Sequence, residues 1–164
     1  MDNSHIEERL DVVRDVFDEK PETVESGLDV DGAEMLQLRK ACRLLEAARH
    51  LKSENGYYTV IIETSFAAIE RTLQFHLVGN DFLNPEEYVD HREVYERSSS
   101  AGLYSEEFKE KLVSLWRNNR SRSYYREGVG SRERADEMLA LAEDIHSHVL
   151  QLAGKGHECI CSPA

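Results

Sequence analysis

The stretch "YYTVIIETSFAAIERTLQFHL", residues 57–77, is the most apolar part of this 164-residue chain and decides its fold. It opens with β-branched residues, so propensity alone would permit a strand over residues 57–62. The apolar positions nevertheless continue at helical spacing, at Ile62, Phe66, Ile69, Leu73 and Leu77. A helical period kept over this length predicts one long, largely buried α-helix.

The segments on either side of this helix also predict helices. Their expected starts lie near residues 4, 31, 84, 105 and 131. The start in "NPEE" rests on Asn84 as cap and Pro85 at the first helical position, whereas Ser105 and Ser131 are the expected caps of the last two helices. These patterns predict a single all-α domain, an up-and-down helical bundle of about five to six helices over residues 1–154, with a flexible C-terminal tail at 155–164.

The composition is strongly acidic and poor in lysine. Acidic residues number 32 against 20 basic ones, the formal net charge is -12, and 14 of the basic residues are arginines. This composition favours a halophilic protein kept soluble in a salty cytosol, and an ordinary acidic protein is the alternative. No run approaches the ~20 apolar residues of a membrane helix, and the start "MDNSHIEERL" is too acidic for a signal peptide. A cytoplasmic protein without a membrane partner is therefore expected.

The three cysteines do not form a disulfide framework. Cys42 lies in a helical pattern and is interpreted as a small buried hydrophobe. The tail offers His157, Cys159 and Cys161, which have metal-ligand chemistry but lack a fourth partner or a familiar spacing. A frayed tail is the favoured interpretation, and neither a metal nor another cofactor is expected.

The stretch "RNNRSRSYYR", residues 117–126, is a basic island in this acidic chain. Residues 117–134 contain six arginines and two glutamates, a local net charge of +4. Arg120 and Arg126, with Tyr125 beside them, suit phosphate contact and stacking on an unpaired RNA base. The alternative is that the arginines satisfy carbonyls at a helix end and pair with acids on neighbouring helices.

The spacing within this island resembles the motif of the HEPN family. Arg117 and Asn118 match the arginine and polar residue that begin the motif, and Tyr124 matches a tyrosine found in one subgroup. The apolar run "FKEKLVSLW" leads into the motif, and "SFAAIERTLQFHL" resembles the family's long core helix. The resemblance covers about residues 33–153.

HEPN proteins are small α-helical bundles, and many are metal-independent ribonucleases or toxins. The resemblance implies an RNA-directed protein, a homodimer, and a catalytic group made of Arg117, Asn118, Arg122 and Tyr124. In the subgroup with the tyrosine, a nucleotidyltransferase antitoxin attaches AMP to that residue. Tyr124 is accordingly the expected modification site, in a toxin component of a toxin–antitoxin pair.

One departure from the family bears on catalysis. Arg122 or Tyr124 stands where active members have a histidine, and an arginine stays protonated at physiological pH, so it cannot act as a general base. Whether the chain is a ribonuclease is therefore open, and a non-catalytic helical dimerisation or interaction module is the alternative.

Other polar residues are candidates for the role of the absent motif histidine. His146 and His148 are interpreted as surface or packing residues, with at least one pointing outward, and neither His76 nor His91 has a recognisable partner in the sequence. Glu63 and Glu70, in the most apolar helix, must be paired if buried. Either an intramolecular salt bridge or a motif arginine would satisfy them.

Overall fold

The computed structural model describes residues 3–121 and 130–161, and describes no side chain between 120 and 129. Within these residues the chain forms six α-helices: α1 Ser4–Asp18, α2 Ala33–Glu54, α3 Tyr58–Gly79, α4 His91–Ser100, α5 Glu106–Trp116 and α6 Arg132–Ala153. The described part of the chain contains no strand, so the predicted all-α bundle is confirmed.

Helix α3 is the centre of the bundle. Half of its 22 residues are buried, and it packs against α2, α6 and α4. Only three residues, 55–57, connect it to α2, and such a short connection makes the two packed helices antiparallel. The alternative of a strand over 57–62 is wrong, because Ile61 and Ile62 begin the buried stripe of this helix.

The ends of the later helices follow local capping rules. Ser105 accepts a hydrogen bond from the backbone of Phe108, and Ser131 accepts one from Arg134, as predicted. Helix α6 ends at Gly154, whose φ of 63° lies in the left-handed region that favours glycine.

The predicted helix start at "NPEE" is wrong. The Asn84 side chain accepts a hydrogen bond from the backbone of Glu86 and closes a turn, while α4 begins seven residues later under the cap of Asp90. Glu87 is held 2.5 Å from Arg97 of α4. This ion pair holds the segment before α4 alongside the helix. The segment is therefore not an N-terminal extension of α4.

Helix α1 differs from the other five. None of its residues is buried, although its apolar stripe is as regular as the sequence predicts. The exposed fractions of its largest apolar side chains run from 42 to 85%. The stripe consists of Ile6, Leu10, Val13 and Phe17.

None of the described helices is long and apolar enough to cross a membrane.

Candidate functional sites: an open histidine–glutamate site and a closed cysteine–histidine cluster

The predicted RNA-binding island begins where α5 ends. Arg117 and Asn118 are exposed in a π-helical turn over Arg117–Ser121 that continues α5. The Asn118 amide donates a hydrogen bond to the hydroxyl of Ser114 one turn earlier. Arg120 belongs to the same turn, although its side chain is not described. Four other predicted site residues lie outside the described residues, namely Arg122, Tyr124, Tyr125 and Arg126.

One arginine of the basic window is used within the fold. Arg132, at the start of α6, donates hydrogen bonds to the Tyr58 hydroxyl at 3.3 Å and to Asn55 Oδ1 at 2.7 Å. Its guanidinium also lies 6.0 Å from the centre of the Tyr58 ring. Arg132 therefore ties α6 to the turn between α2 and α3 through neutral side chains, and the expected pairing of the arginines with acids or helix-end carbonyls stays a prediction.

A histidine–carboxylate pair lies beside the end of α5. His91 Nδ1 donates a hydrogen bond to Glu70 Oε2 at 2.7 Å, and the buried hydroxyl of Tyr95 donates to Glu70 Oε1 at 2.9 Å. Glu70 is only 8% exposed, whereas the His91 side chain is 52% exposed. In the neutral ring this contact favours the proton on Nδ1, and Nε2 then carries the lone pair on the more exposed side.

Trp116 connects this pair to the predicted motif. Its ring centre lies 6.0 Å from that of His91 and 6.3 Å from that of Tyr95, and the next residue in the chain is Arg117. Among the described residues, the Trp116 indole N–H is buried without a hydrogen-bond partner. The first motif arginine therefore directly follows, in the chain, a residue that contacts His91.

A polar cavity of about 320 Å³ opens beside His91, and Glu70, Arg71 and Tyr88 help to line it. Arg71 is held in place by hydrogen bonds to the amide oxygens of Gln37 at 3.0 Å and Gln74 at 2.9 Å. Tyr88 is 90% exposed at this cavity. A fixed guanidinium, an exposed aromatic ring and an oriented imidazole thus share one cavity.

Sequence reasoning missed His91 as a site residue, because Glu70 is 21 positions away and only the packing of α4 on α3 joins them. The expected pairing of Glu70 within the chain is met by His91, and the contact is a salt bridge only when the His91 ring is protonated. Pairing of Glu70 with Arg120, Arg122 or Arg126 rests on side chains that are not described, and it stays a prediction.

A second constellation lies around the C-terminal segment. Cys42 of α2, His146 of α6, Cys159 and Cys161 bring one ligand atom each into a group whose members all lie within 4.8 Å of one another. The expectation of a frayed tail is wrong for these residues, because Cys161 is 4% exposed and Cys159 packs against the core. The further metal ligands that the tail lacks in the sequence are supplied by Cys42 and His146, which are 104 residues apart.

The structure also shows which of the other cysteine and histidine side chains in this region are buried and which are exposed. Cys42 is buried as predicted, His146 is buried at 3% exposure, and His148 is the histidine that points outward. His157 is exposed and lies 3.5 Å from Glu158, so it is not part of the described cluster. The sequence signal that could have indicated this cluster is the Cys-X-Cys spacing at 159–161.

Proton affinities within the cluster are strongly perturbed. Hydrogen bonding from Cys161 lowers the pKa of the Cys42 thiol well below its ordinary range, although burial opposes the shift and His146 assists it. The same contact with Cys42, together with burial, raises the pKa of Cys161. Burial acts to lower the pKa of His146, but the neighbouring sulfurs outweigh it, and the net pKa is raised.

The fold and these two sites define an all-α bundle with an open histidine–glutamate site and a separate, closed cysteine–histidine cluster. The chain belongs to the family described as "Domain of unknown function (DUF8154)", whose model matches residues 1–161. No curated protein and no solved structure matches the chain.

Proposed function

We propose that this protein is an RNA-directed, HEPN-like bundle that acts as a metal-independent ribonuclease. The observation that carries the proposal is the His91–Glu70 pair, at 2.7 Å between Nδ1 and the carboxylate, against Trp116, the residue that precedes Arg117 in the chain. A carboxylate that orients a histidine prepares Nε2 to accept a proton, as in other hydrolytic sites. His91 would thereby supply the base that the motif itself lacks.

The residues around His91 have complementary roles in this proposal. Arg117 and Arg71 bind the phosphate through bidentate hydrogen bonds, which persist in high salt better than long-range attraction does. Asn118 orients the same phosphate, and the exposed ring of Tyr88 stacks on an unpaired base.

The proposed reaction needs no other reagent than RNA and water. His91 Nε2 takes the proton of a ribose 2′-hydroxyl, and the 2′-oxygen forms a bond to the adjacent phosphorus. The bond from phosphorus to the 5′-oxygen breaks, and that oxygen leaves with a proton from water. The resulting hydroxide takes the proton from His91 Nε2, which regenerates both water and the neutral histidine. The products are a 2′,3′-cyclic phosphate and a 5′-hydroxyl, while charge on the phosphoryl oxygens is stabilised by Arg117.

The test is cleavage of total RNA and of tRNA in molar salt without added divalent ions. We expect the wild-type protein to cleave, and Arg117→Ala and His91→Asn to lose most of this activity. The matched controls are Arg92→Ala, which removes a neighbouring arginine paired with Glu96 at 2.8 Å, and His50→Asn on the exposed side of α2. Cleavage that survives in His91→Asn, or is absent from the wild type at every pH and salt tested, would refute the proposed catalysis.

Regulation by a nucleotidyltransferase antitoxin remains a separate part of the proposal. It rests on the resemblance around Tyr124, which lies outside the described residues. Incubation with a candidate nucleotidyltransferase and ATP should add the mass of AMP to the wild type and not to Tyr124→Phe. Addition to Tyr125 instead would show that the family position was wrongly assigned.

A second candidate function is a homodimeric interaction module, which the exposed face of α1 favours. The stripe at Ile6, Leu10, Val13 and Phe17 has alternating spacings of four and three, the pattern of a coiled-coil seam. A seam of this kind is self-complementary, so we propose a second copy of this chain as its partner. Light scattering after size exclusion should give a dimer for wild type and Arg9→Ser, and a monomer for Leu10→Ser; a dimer that persists in Leu10→Ser would refute pairing through α1.

A further inference from the structure

Four donor atoms from three separate parts of the chain point at one buried position. Cys42 comes from α2, His146 from α6, and Cys159 and Cys161 from the segment after α6. The distances from His146 Nε2 to the three sulfurs are 3.7 Å to Cys42, 3.4 Å to Cys159 and 3.6 Å to Cys161. The sulfur of Cys159 lies 3.8 Å from that of Cys42 and 3.5 Å from that of Cys161.

These spacings match the edges of a tetrahedron around zinc. With Zn–S near 2.3 Å and Zn–N near 2.0–2.1 Å, a regular tetrahedron separates two sulfurs by about 3.8 Å and a sulfur from a nitrogen by about 3.6 Å. A disulfide would need its sulfurs about 2.05 Å apart, and all three cysteines carry reduced thiols. We propose that Cys42, His146, Cys159 and Cys161 bind one zinc ion in a closed, structural site.

The surroundings of the four residues are those that a zinc site requires. His146 directs Nε2 to the sulfurs, and its Nδ1 lies 3.0 Å from the fully buried hydroxyl of Thr72, to which it donates a hydrogen bond when Nε2 binds the metal. A hydrogen bond on the outer nitrogen of a ligating histidine fixes its tautomer and ring orientation. A buried threonine on the central helix therefore preorganises the only nitrogen ligand.

A nearby arginine, itself paired with a glutamate, offsets part of the charge of the site. Three thiolates and one zinc ion carry a net charge of -1, which is costly to bury without a partner. Arg49 of α2 donates from Nη1 to the carbonyl of Cys161 and from Nε to Glu143 at 2.6 Å. Its guanidinium thus lies against the ligand-bearing segment, where its positive charge stabilises the metal-bound state.

The ligand set indicates zinc and a structural role. Three sulfurs and one imidazole in a tetrahedral arrangement suit zinc, and four protein ligands leave no open position for a substrate. Arg39 of α2, 3.2 Å from Glu158, holds the same segment a second time. The ion would therefore fasten residues 155–161 across α2 and α6, and it takes no part in the proposed RNA chemistry.

The first test is the metal content and spectrum of the full-length, reduced protein. Elemental analysis of protein purified without a metal-affinity step should give one zinc per chain. Replacement by Co²⁺ should give the d–d bands of a tetrahedral cobalt site and sulfur-to-cobalt charge transfer. Folded, fully reduced protein that neither retains zinc nor gives this cobalt spectrum would overturn the proposal, as would iron–sulfur absorption or a native disulfide detected by thiol titration.

Variants separate ligation from folding. Cys159→Ser lies outside the helices, so we expect helical circular dichroism to be retained and zinc to be lost. His157→Ser, an exposed neighbour, is the matched control and should keep the metal. Thr72→Val should weaken zinc binding by roughly 10- to 100-fold, as loss of an outer hydrogen bond does elsewhere. Full zinc occupancy and unchanged affinity in Cys159→Ser would refute the site even if both proteins fold.

Discussion

His91 and His146, which both contact polar side chains of the central helix α3, lie in opposite kinds of surroundings. His146 is 3% exposed and its Nε2 faces three sulfurs, whereas the His91 side chain is 52% exposed and only its Nδ1 is engaged. In the surroundings of His146, both ring nitrogens contact other side chains of the protein. Those of His91 keep one nitrogen available, so the bundle contains one site suited to holding the fold and another suited to proton transfer.

Removing the metal should be the largest perturbation, and it should act on the closed site alone. Where free zinc exceeds its dissociation constant by ~1,000-fold, linkage predicts a loss of about 4 kcal/mol in the free energy of unfolding on chelation. Urea unfolding with and without a zinc chelator measures this difference. RNA binding by the folded, metal-free protein should stay within twofold, and a parallel loss of RNA binding would show that the two sites are coupled.

Removing Glu70 should be the largest perturbation of the open site. Glu70→Ala leaves the hydroxyl of Tyr95, which is 0% exposed, without its carboxylate acceptor, at a cost of about 1–3 kcal/mol in the free energy of unfolding. Glu63→Ala, a half-buried glutamate on the same helix, is the control. Equal losses for the two variants in urea would show that Glu70 contributes no more than an ordinary glutamate.

The Arg132–Tyr58 contact should have a smaller effect. A double-mutant cycle with Arg132→Ala and Tyr58→Phe should give a coupling energy of about 0.5 kcal/mol, which is typical of an exposed contact between an arginine and a tyrosine. RNA cleavage by Arg132→Ala should match the wild type. A loss as large as that of Arg117→Ala would place Arg132 in the RNA site instead.

The smallest effect concerns His76 and acidic pH. Burial lowers the pKa of His76 below 6.5, so the unfolded chain binds more protons than the folded one as the pH falls through this range. Stability should therefore decrease below pH 6.5, and less so in His76→Gln. Glu34, Asp81 and Glu158 line the same cavity, and an identical pH dependence in wild type and variant would assign the effect to these acids.

Much of the bundle was predictable from local patterns. The helical period of residues 57–77 fixed the central helix, and serine caps marked the starts of α5 and α6. The "NPEE" start failed because a cap and a proline also suit a turn, and because the Glu87–Arg97 ion pair joins this turn to a residue of α4 ten positions away. Local rules cannot rank these alternatives, since both satisfy the same backbone groups.

The sequence by itself determined the class of fold, the burial of Cys42 and the position of the arginine island. These depend on residue spacing within one helix, which a 3.6-residue period makes readable. Only the tertiary structure decided that His91 faces Glu70 and that Cys42 meets His146 and the final cysteines. Such pairings arise when the hydrophobic burial of α2, α4 and α6 on α3 brings distant positions together, and no local spacing encodes them.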